Sequence, residues 1–315
     1  MRNPRIAVLM GGVSEEREVS LKSGRAVVSG LKKAGYEAMP FDVTEENLDG
    51  LEQLNPDAAF VALHGTFGED GAVQQLLEER RIPYTGSGPR ASQRCMDKLE
   101  TKRTCVRNSI PTADYAVARR DEKVSRICSQ AEELGYPLVC KPIGSGSSVG
   151  ISLVRDASQL DEALDCAFET GHDALLERYV KGRELTVGVV EGQPLPMVEI
   201  VPERDFFDYH AKYKDENTRY ITPVALLETL YRRAVESAVN AYESLGCRHF
   251  ARVDLIHGYD GSLHVMEINT IPGFTPRSLL PMAASETDMD FPDLCARIVN
   301  LALKDTEITA SRRAG

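Results

Sequence analysis

FARVDLIHGYDGSLHVMEINTIPGFTPRS, residues 250–278, is the stretch around which the rest of the sequence arranges itself. It reads as two strands, 250–256 and 263–269, joined by turn chemistry at Asp260-Gly261, because apolar and polar residues alternate on either side. Strand side chains alternate between faces, so Arg252 shares a face with Asp254 and Glu267 shares one with Asn269. If the two faces coincide, two carboxylates, a carboxamide and a guanidinium gather over a backing of Val253, Leu255, Met266 and Ile268. Two readings of such a cluster stay open. It is either a solvated polar face or an oxygen-rich site for a hard divalent cation, which relieves the repulsion between opposed carboxylates. The turn-rich run that follows, 269–275, can aim backbone N–H groups at the same place.

With 315 residues, of which 42% are hydrophobic, the chain is long enough for two or three domains with substantial cores. A net charge of -11 leaves no basic footprint for nucleic acid or an anionic membrane surface. No apolar run approaches the roughly 20 residues of a membrane span. Residues 1–4 lead directly into a strand rather than a signal peptide's apolar core, so a cytoplasmic protein is expected. The seven cysteines are scattered, with neither CxxC nor His pairing at ligand spacing. They read as reduced thiols.

Outward from the hairpin, the N-terminal third repeats a strand–glycine loop pattern. RIAVLM (5–10) ends in Gly11-Gly12 and a helical pattern over 16–34 follows, the opening of a doubly wound parallel sheet whose ligand crevice lies at the strand ends. Glu16 in that loop is suited to a substrate ammonium, although acidic residues also simply favour helix starts. A second strand (58–63) runs into His64-Gly65, where His64 is a candidate contact on a loop in which most histidines have no such role. A short strand and loop follow at 82–88. One amphipathic segment covers 91–108. LVCK (138–141) ends in a lysine and enters PIGSGSSVG (142–150), a lid-like loop able to close on phosphate oxygens. It is no Walker A loop, since no GK[ST] ends it. Strands are expected at 174–179, 184–190 and 196–201, with 177–180 as a connector suited to a planar base. Residues 202–223 read as a long aromatic and cationic loop, 225–245 as a helix, and the last dozen residues as a frayed tail.

Taken together, GGVSEEREVSLKSG (11–24), ALHGTFGEDG (62–71), PYTGSG (83–88), MDKLETK (96–102), CKPIGSGSSVGIS (140–152), DYHAKY (208–213), RVDL (252–255) and EINTIPGFTPRSL (267–279) resemble the D-alanine–D-alanine ligases of the ATP-grasp superfamily. The resemblance spans nearly the whole chain. It implies an α/β fold of three parts: an N-terminal substrate-binding domain (1–92), a central ATP-grasp subdomain with the lid (93–178) and a C-terminal subdomain with the long loop and metal site (179–305). ATP would lie between the last two, and 306–315 would form a flexible tail.

The resemblance also implies roles. Lys98 and Lys141 contact ATP phosphates, Glu177 to Val180 hold adenine, Glu184 the ribose, and Phe206 stands near the base. Lys212 reaches the γ-phosphate. Asp254, Glu267 and Asn269 bind magnesium, two ions, with manganese as a substitute. Glu16 holds the first D-alanine's ammonium in a pocket that includes His64. Arg252 and the Gly273 N–H form the oxyanion site, and Ser278 and Leu279 face the second substrate's carboxylate. Ser147 and Tyr213 link lid and long loop through Glu16, and Tyr213 favours an amino-acid acceptor over D-lactate. A homodimer is the implied assembly. Two departures from the family pattern stand out: Ile143-Gly144-Ser145 in the lid, and Arg277 where Ser, Thr or His is expected. Arg277 is either a contact for the second carboxylate or a solvent-facing side chain.

Overall fold

The structure is a computed structural model that describes residues 2–144, 146, 150–202 and 218–314. Its N-terminal sheet comprises β1 (Arg5–Gly11), β2 (Glu37–Val43) and β3 (Ala58–Val61), all parallel in the order β2-β1-β3. Helices α1 (Arg17–Lys33) and α2 (Ala72–Glu79) follow β1 and β3. Continuous apolar strands such as RIAVLMG are buried on both faces, as parallel sheets require. Ile6, Val8 and Met10 pack with Val27 and Leu31 of α1, while Ala7 and Leu9 pack with Val73 and Leu77 of α2. Gly11 leaves β1 with φ +88°, and a Cβ there would meet Asp42 Oδ1 at 2.2 Å, so the strand-to-loop turn needs glycine. The strand expected at 82–88 is reduced to one bridge, Ala59 with Tyr84.

The expected single helix over 91–108 is two helices, α3 (Pro89–Met96) and α4 (Lys98–Arg107). Asp97, with extended backbone, separates them and caps α4 by accepting the Glu100 N–H at 2.8 Å. An N-cap outcompetes helix continuation here because it satisfies a donor that a helix start leaves free. The central sheet holds β4 (Tyr115–Ala118), β5 (Leu138–Pro142), β6 (Ser152–Val154) and β7 (Ala174–Arg178), antiparallel in the order β4-β7-β5-β6. Helices α5 (Val124–Leu134) and α6 (Leu160–Phe168) cover the face carrying Leu138, Cys140 and Leu176. Strand alternation turns Val139, Lys141 and Glu177 to the opposite face.

A third sheet runs β11-β10-β8-β12-β13, with β9 on β8. Its members are β8 (Gly182–Val190), β9 (Gln193–Pro194), β10 (Val198–Val201), β11 (Arg219–Ile221), β12 (Phe250–Gly258) and β13 (Leu263–Asn269). Helix α7 (Glu228–Leu245) lays Ala234, Ala238 and Ala241 on Val187, Val253 and Ile268. The strands at 174–178 and 182–190 therefore belong to different sheets, joined by 179–181. After α8 (Leu279–Ser285), α9 (Phe291–Ala314) carries helical backbone through most of the stretch expected as a tail. Leu294, Ile298 and Ala302 of α9 share one core with Ile6, Val8 and Phe274, so the chain's end packs against its first sheet.

The hairpin register pairs Arg252 with Asn269 and Asp254 with Glu267, then shifts at a bulge between Asp254 and Leu255. All four polar residues share one face, as the alternation predicts. The bulge corrects one assignment. Beyond it Leu255 pairs with Val265, so Val265 rather than Met266 joins the core. The extra residue of a bulge breaks the two-residue period, and Met266 lines a cavity beside Glu267.

Candidate active site

Arg252 and Asp254 form a bidentate pair, Nε to Oδ1 at 2.8 Å and Nη2 to Oδ2 at 2.6 Å. Thr186 of β8, opposite Asp254 in the register, donates its hydroxyl to Oδ1 at 2.6 Å. A two-oxygen fork of this kind fixes the guanidinium's orientation as well as its charge. Glu267 and Asn269 alongside add further oxygen ligands to those of Asp254, the donor chemistry that suits a hard cation. Among the described residues no three His, Cys, Asp or Glu side chains cluster as a metal cage. Two carboxylates and one carboxamide fit a Mg2+ that takes the rest of its ligands from phosphate and water.

Two cavities meet at this face, and Arg252 and Glu267 line both. The first, of about 550 Å³, receives Glu16, His64 and Lys98 from one side and Gly273, Ser278 and Leu279 from the other. His64 is buried, with Ser23 Oγ 3.3 Å from Nε2 and Glu69 Oε1 3.4 Å from Nδ1. Ser23 Oγ also accepts the Phe274 N–H at 3.1 Å. Phe274 packs edge-on against Phe60 and Phe250, with centroids 5.3 and 5.7 Å away, and thereby anchors the loop that carries Gly273. Ser278 Oγ accepts the Thr275 N–H at 3.0 Å, which holds the turn that presents Leu279. Arg277 is exposed at the rim of the same cavity.

The second cavity, of about 390 Å³, lies between the central and C-terminal sheets. Lys141 enters from β5, Val180 from the connector, Glu184 from β8 and Asp254 from β12. Lys98, expected at the phosphates with Lys141, lines the first cavity, with its backbone N–H on Ile143 O at 3.0 Å. Glu177, expected on the connector, lies inside β7, and its backbone pairs with β4 and β5. Its carboxylate is buried between the ammonium groups of Lys102 and Lys141. Burial pushes Glu177 upward, but the two ammonium groups outweigh it and hold the carboxyl below its ordinary range, so it is ionised. Lys102 is lowered by burial and donates also to Thr112 Oγ1 at 2.7 Å, whose hydroxyl donates to Val265 O at 2.8 Å.

The structure thus brings Glu16, His64, Lys98, Lys141, Val180, Glu184, Arg252, Asp254, Glu267, Asn269, Gly273, Ser278 and Leu279 to two adjoining cavities. Ser147, Phe206, Lys212 and Tyr213 lie outside the described residues. Sequence reasoning missed Lys102, Ser23 and Thr186. Lys102 had a usable signal, since it sits four residues after Lys98 and so on the same helix face.

Comparison with known proteins gives a consistent picture. Residues 105–300 match the family described as D-ala D-ala ligase C-terminus, and 5–50 with 48–87 match D-ala D-ala ligase N-terminus. A D-alanine–D-alanine ligase of Syntrophotalea carbinolica is 46% identical over 299 residues, covering 95% of this chain and 96% of that protein. The crystal structure of a Bacillus anthracis D-alanine–D-alanine ligase complexed with ATP superposes with a TM-score of 0.85 at 34% identity, covering 97% of this chain and 99% of that one. The VanG D-Ala:D-Ser ligase of Enterococcus faecalis reaches 0.83 at 28% identity, covering 96% of this chain and 100% of its own.

Proposed function

The chain belongs to the D-alanine–D-alanine ligase family, and on that premise we propose how its residues divide the ATP-dependent joining of two D-alanines for peptidoglycan precursor synthesis. The observation that carries this reading is the common wall: a cavity suited to a small amino acid and a cavity suited to a nucleotide both end on Arg252 and Glu267. Buried Glu16 would take the first D-alanine's ammonium, with His64 shaping that end of the pocket. The same D-alanine's carboxylate oxygen attacks the γ-phosphorus, ADP leaves and an acyl phosphate forms. Lys141 would draw the phosphate chain into line, Glu184 would hold the ribose, and the 179–181 connector would receive the adenine. Asp254, Glu267 and Asn269 would hold Mg2+, which when bound supplies charge neutralisation at the phosphate oxygens.

The neutral amine of the second D-alanine then attacks the acyl carbon and expels phosphate. Arg252 and the Gly273 N–H would face the oxyanion, a contribution on the order of 3 kcal/mol per donor in comparable sites. Ser278, Leu279 and Arg277 would face the acceptor's carboxylate. Lys98, from its place in the first cavity, would complete the positive side of the reacting centre. Ser147, Phe206, Lys212 and Tyr213 belong to the same scheme through the family resemblance. The partition at 1–92, 93–178 and 179–305, a homodimer and a cytoplasmic location are part of this reading.

Phosphate release from ATP tests the whole reading. Release should require D-alanine, fail with L-alanine and proceed more slowly with D-serine or D-lactate as acceptor. Arg277→Ser should raise the KM of the acceptor only. Release that is independent of D-alanine would overturn the assignment, and sedimentation equilibrium would decide the dimer.

A further inference from the structure

Cys95 Sγ lies 3.5 Å from Cys247 Sγ, although the two residues stand 152 positions apart in sequence. Cys95 lies in the last turn of α3 and lines the amino-acid cavity, whereas Cys247 sits in the turn between α7 and β12. Arg94 ties the two elements together, its guanidinium donating to Leu245 O at 3.1 Å, Ser244 O at 3.3 Å and Thr104 Oγ1 at 3.1 Å. We propose that Cys95 and Cys247 form a thiol–disulfide modification site whose substrate is a low-molecular-weight disulfide.

The two thiols have unequal surroundings, which divides their roles. Cys247 is partly exposed, and its hydrogen bonds with Cys95 and Ser87 together with the Arg94 charge outweigh burial and draw its thiol below the ordinary range. Cys95 is buried, and its bond to Cys247, together with burial, pushes its thiol well up. Cys247, the thiol open to solvent, is the attacking group, and Cys95, buried behind it, is the resolving thiol. Cys247 S⁻ attacks one sulfur of the disulfide and releases one thiol, leaving a mixed disulfide on Cys247. Cys95 then gives up its proton and attacks Cys247 Sγ, releasing the second thiol. The small disulfide is reduced to two thiols while the two protein thiols are oxidised to one S–S bond, and their two protons end on the released thiols. Closure from 3.5 Å to the roughly 2.05 Å of an S–S bond asks for only a small approach of α3 and the turn. Burial pushes Cys105 and Cys140 to about 11 and about 12, and Cys166 is exposed but has no built surroundings of this kind.

The test uses the full chain and oxidised glutathione at neutral pH, followed by thiol blocking and non-reducing tryptic mapping. The expected product has lost the mass of two hydrogens. It joins peptide 95–98 to peptide 234–248 and reverts with dithiothreitol. Cys95→Ser should stop at a glutathione adduct on Cys247. If that variant does not fold, the wild-type map decides alone. A stable glutathione adduct on wild-type Cys247, a cross-link to any other cysteine, or reaction confined to Cys166 would each overturn the proposal.

Discussion

At the scale of single residues, Arg252 and Asp254 hold each other in a bidentate pair yet serve different parts of the proposed reaction. Their substitution should separate those parts. Asp254→Asn should weaken the ATP-dependent step, because one carboxylate of the cation site is gone. Arg252→Ala should leave ATP binding within a few-fold of wild type, yet lower dipeptide formation by about 100-fold or more, the usual effect of losing an oxyanion donor. Nucleotide titration and dipeptide assay on the two variants measure this, and equal loss of ATP affinity in both would refute the division. The face that carries the pair was legible in the sequence, since strand alternation alone puts Arg252 with Asp254 and Glu267 with Asn269. Glu177 was not legible in the same way. Nothing in ALLERY distinguishes a carboxylate aimed at a ligand from one buried between two lysines that come from other elements, Lys102 and Lys141.

Among the elements, the docking of α1 on β1 shows how closely a helix can be set by one missing side chain. A Cβ on Gly24 would stand 2.4 Å from Met10 Cβ, closer than real atoms approach, and Met10 is itself buried in the shared core. Gly24→Ala should therefore destabilise the protein by about 1–3 kcal/mol through overpacking, even though alanine is the better helix former. A urea-unfolding midpoint equal to or above that of wild type would contradict this. One helix boundary and one strand side chain escaped the periodicity for related reasons. The pattern over 91–108 stays amphipathic across Asp97, where a cap interrupts the helix. The alternation in β13 stays regular on paper while the bulge moves Met266 off the core.

Across the whole molecule, His249 marks the joint between the first sheet, β12 and the last helix. Its Nδ1 accepts the Gly86 N–H at 3.2 Å, so Nε2 carries the proton and donates to Asp305 Oδ2 at 3.1 Å. Burial, with Arg248 beside it, lowers its pKa from 6.5 to about 4. Above about pH 6.5 the ring is neutral in both folded and unfolded chains and adds no pH dependence. Between about 6.5 and 4 the unfolded chain binds the proton first, so stability falls as pH falls, by up to about 3 kcal/mol in total. His249→Gln should flatten that part of the curve. Unfolding midpoints at pH 7 and pH 5 for both proteins give the comparison, and an unchanged pH dependence would count against the joint.

Local features were legible along the chain: the parallel opening unit, the antiparallel hairpin, the glycine loops at strand ends and the residue types gathered on one polar face. These rest on periods of two and 3.6 residues and on turn chemistry, which act over a few neighbours in the chain. What meets across long separations came from the fold. It set the core shared by α9 and the first sheet, the lysines on either side of Glu177, the Cys95–Cys247 contact and the common wall of two cavities at Arg252 and Glu267. Such contacts follow from packing three sheets together, and no periodicity along the chain records which buried side chains will face one another.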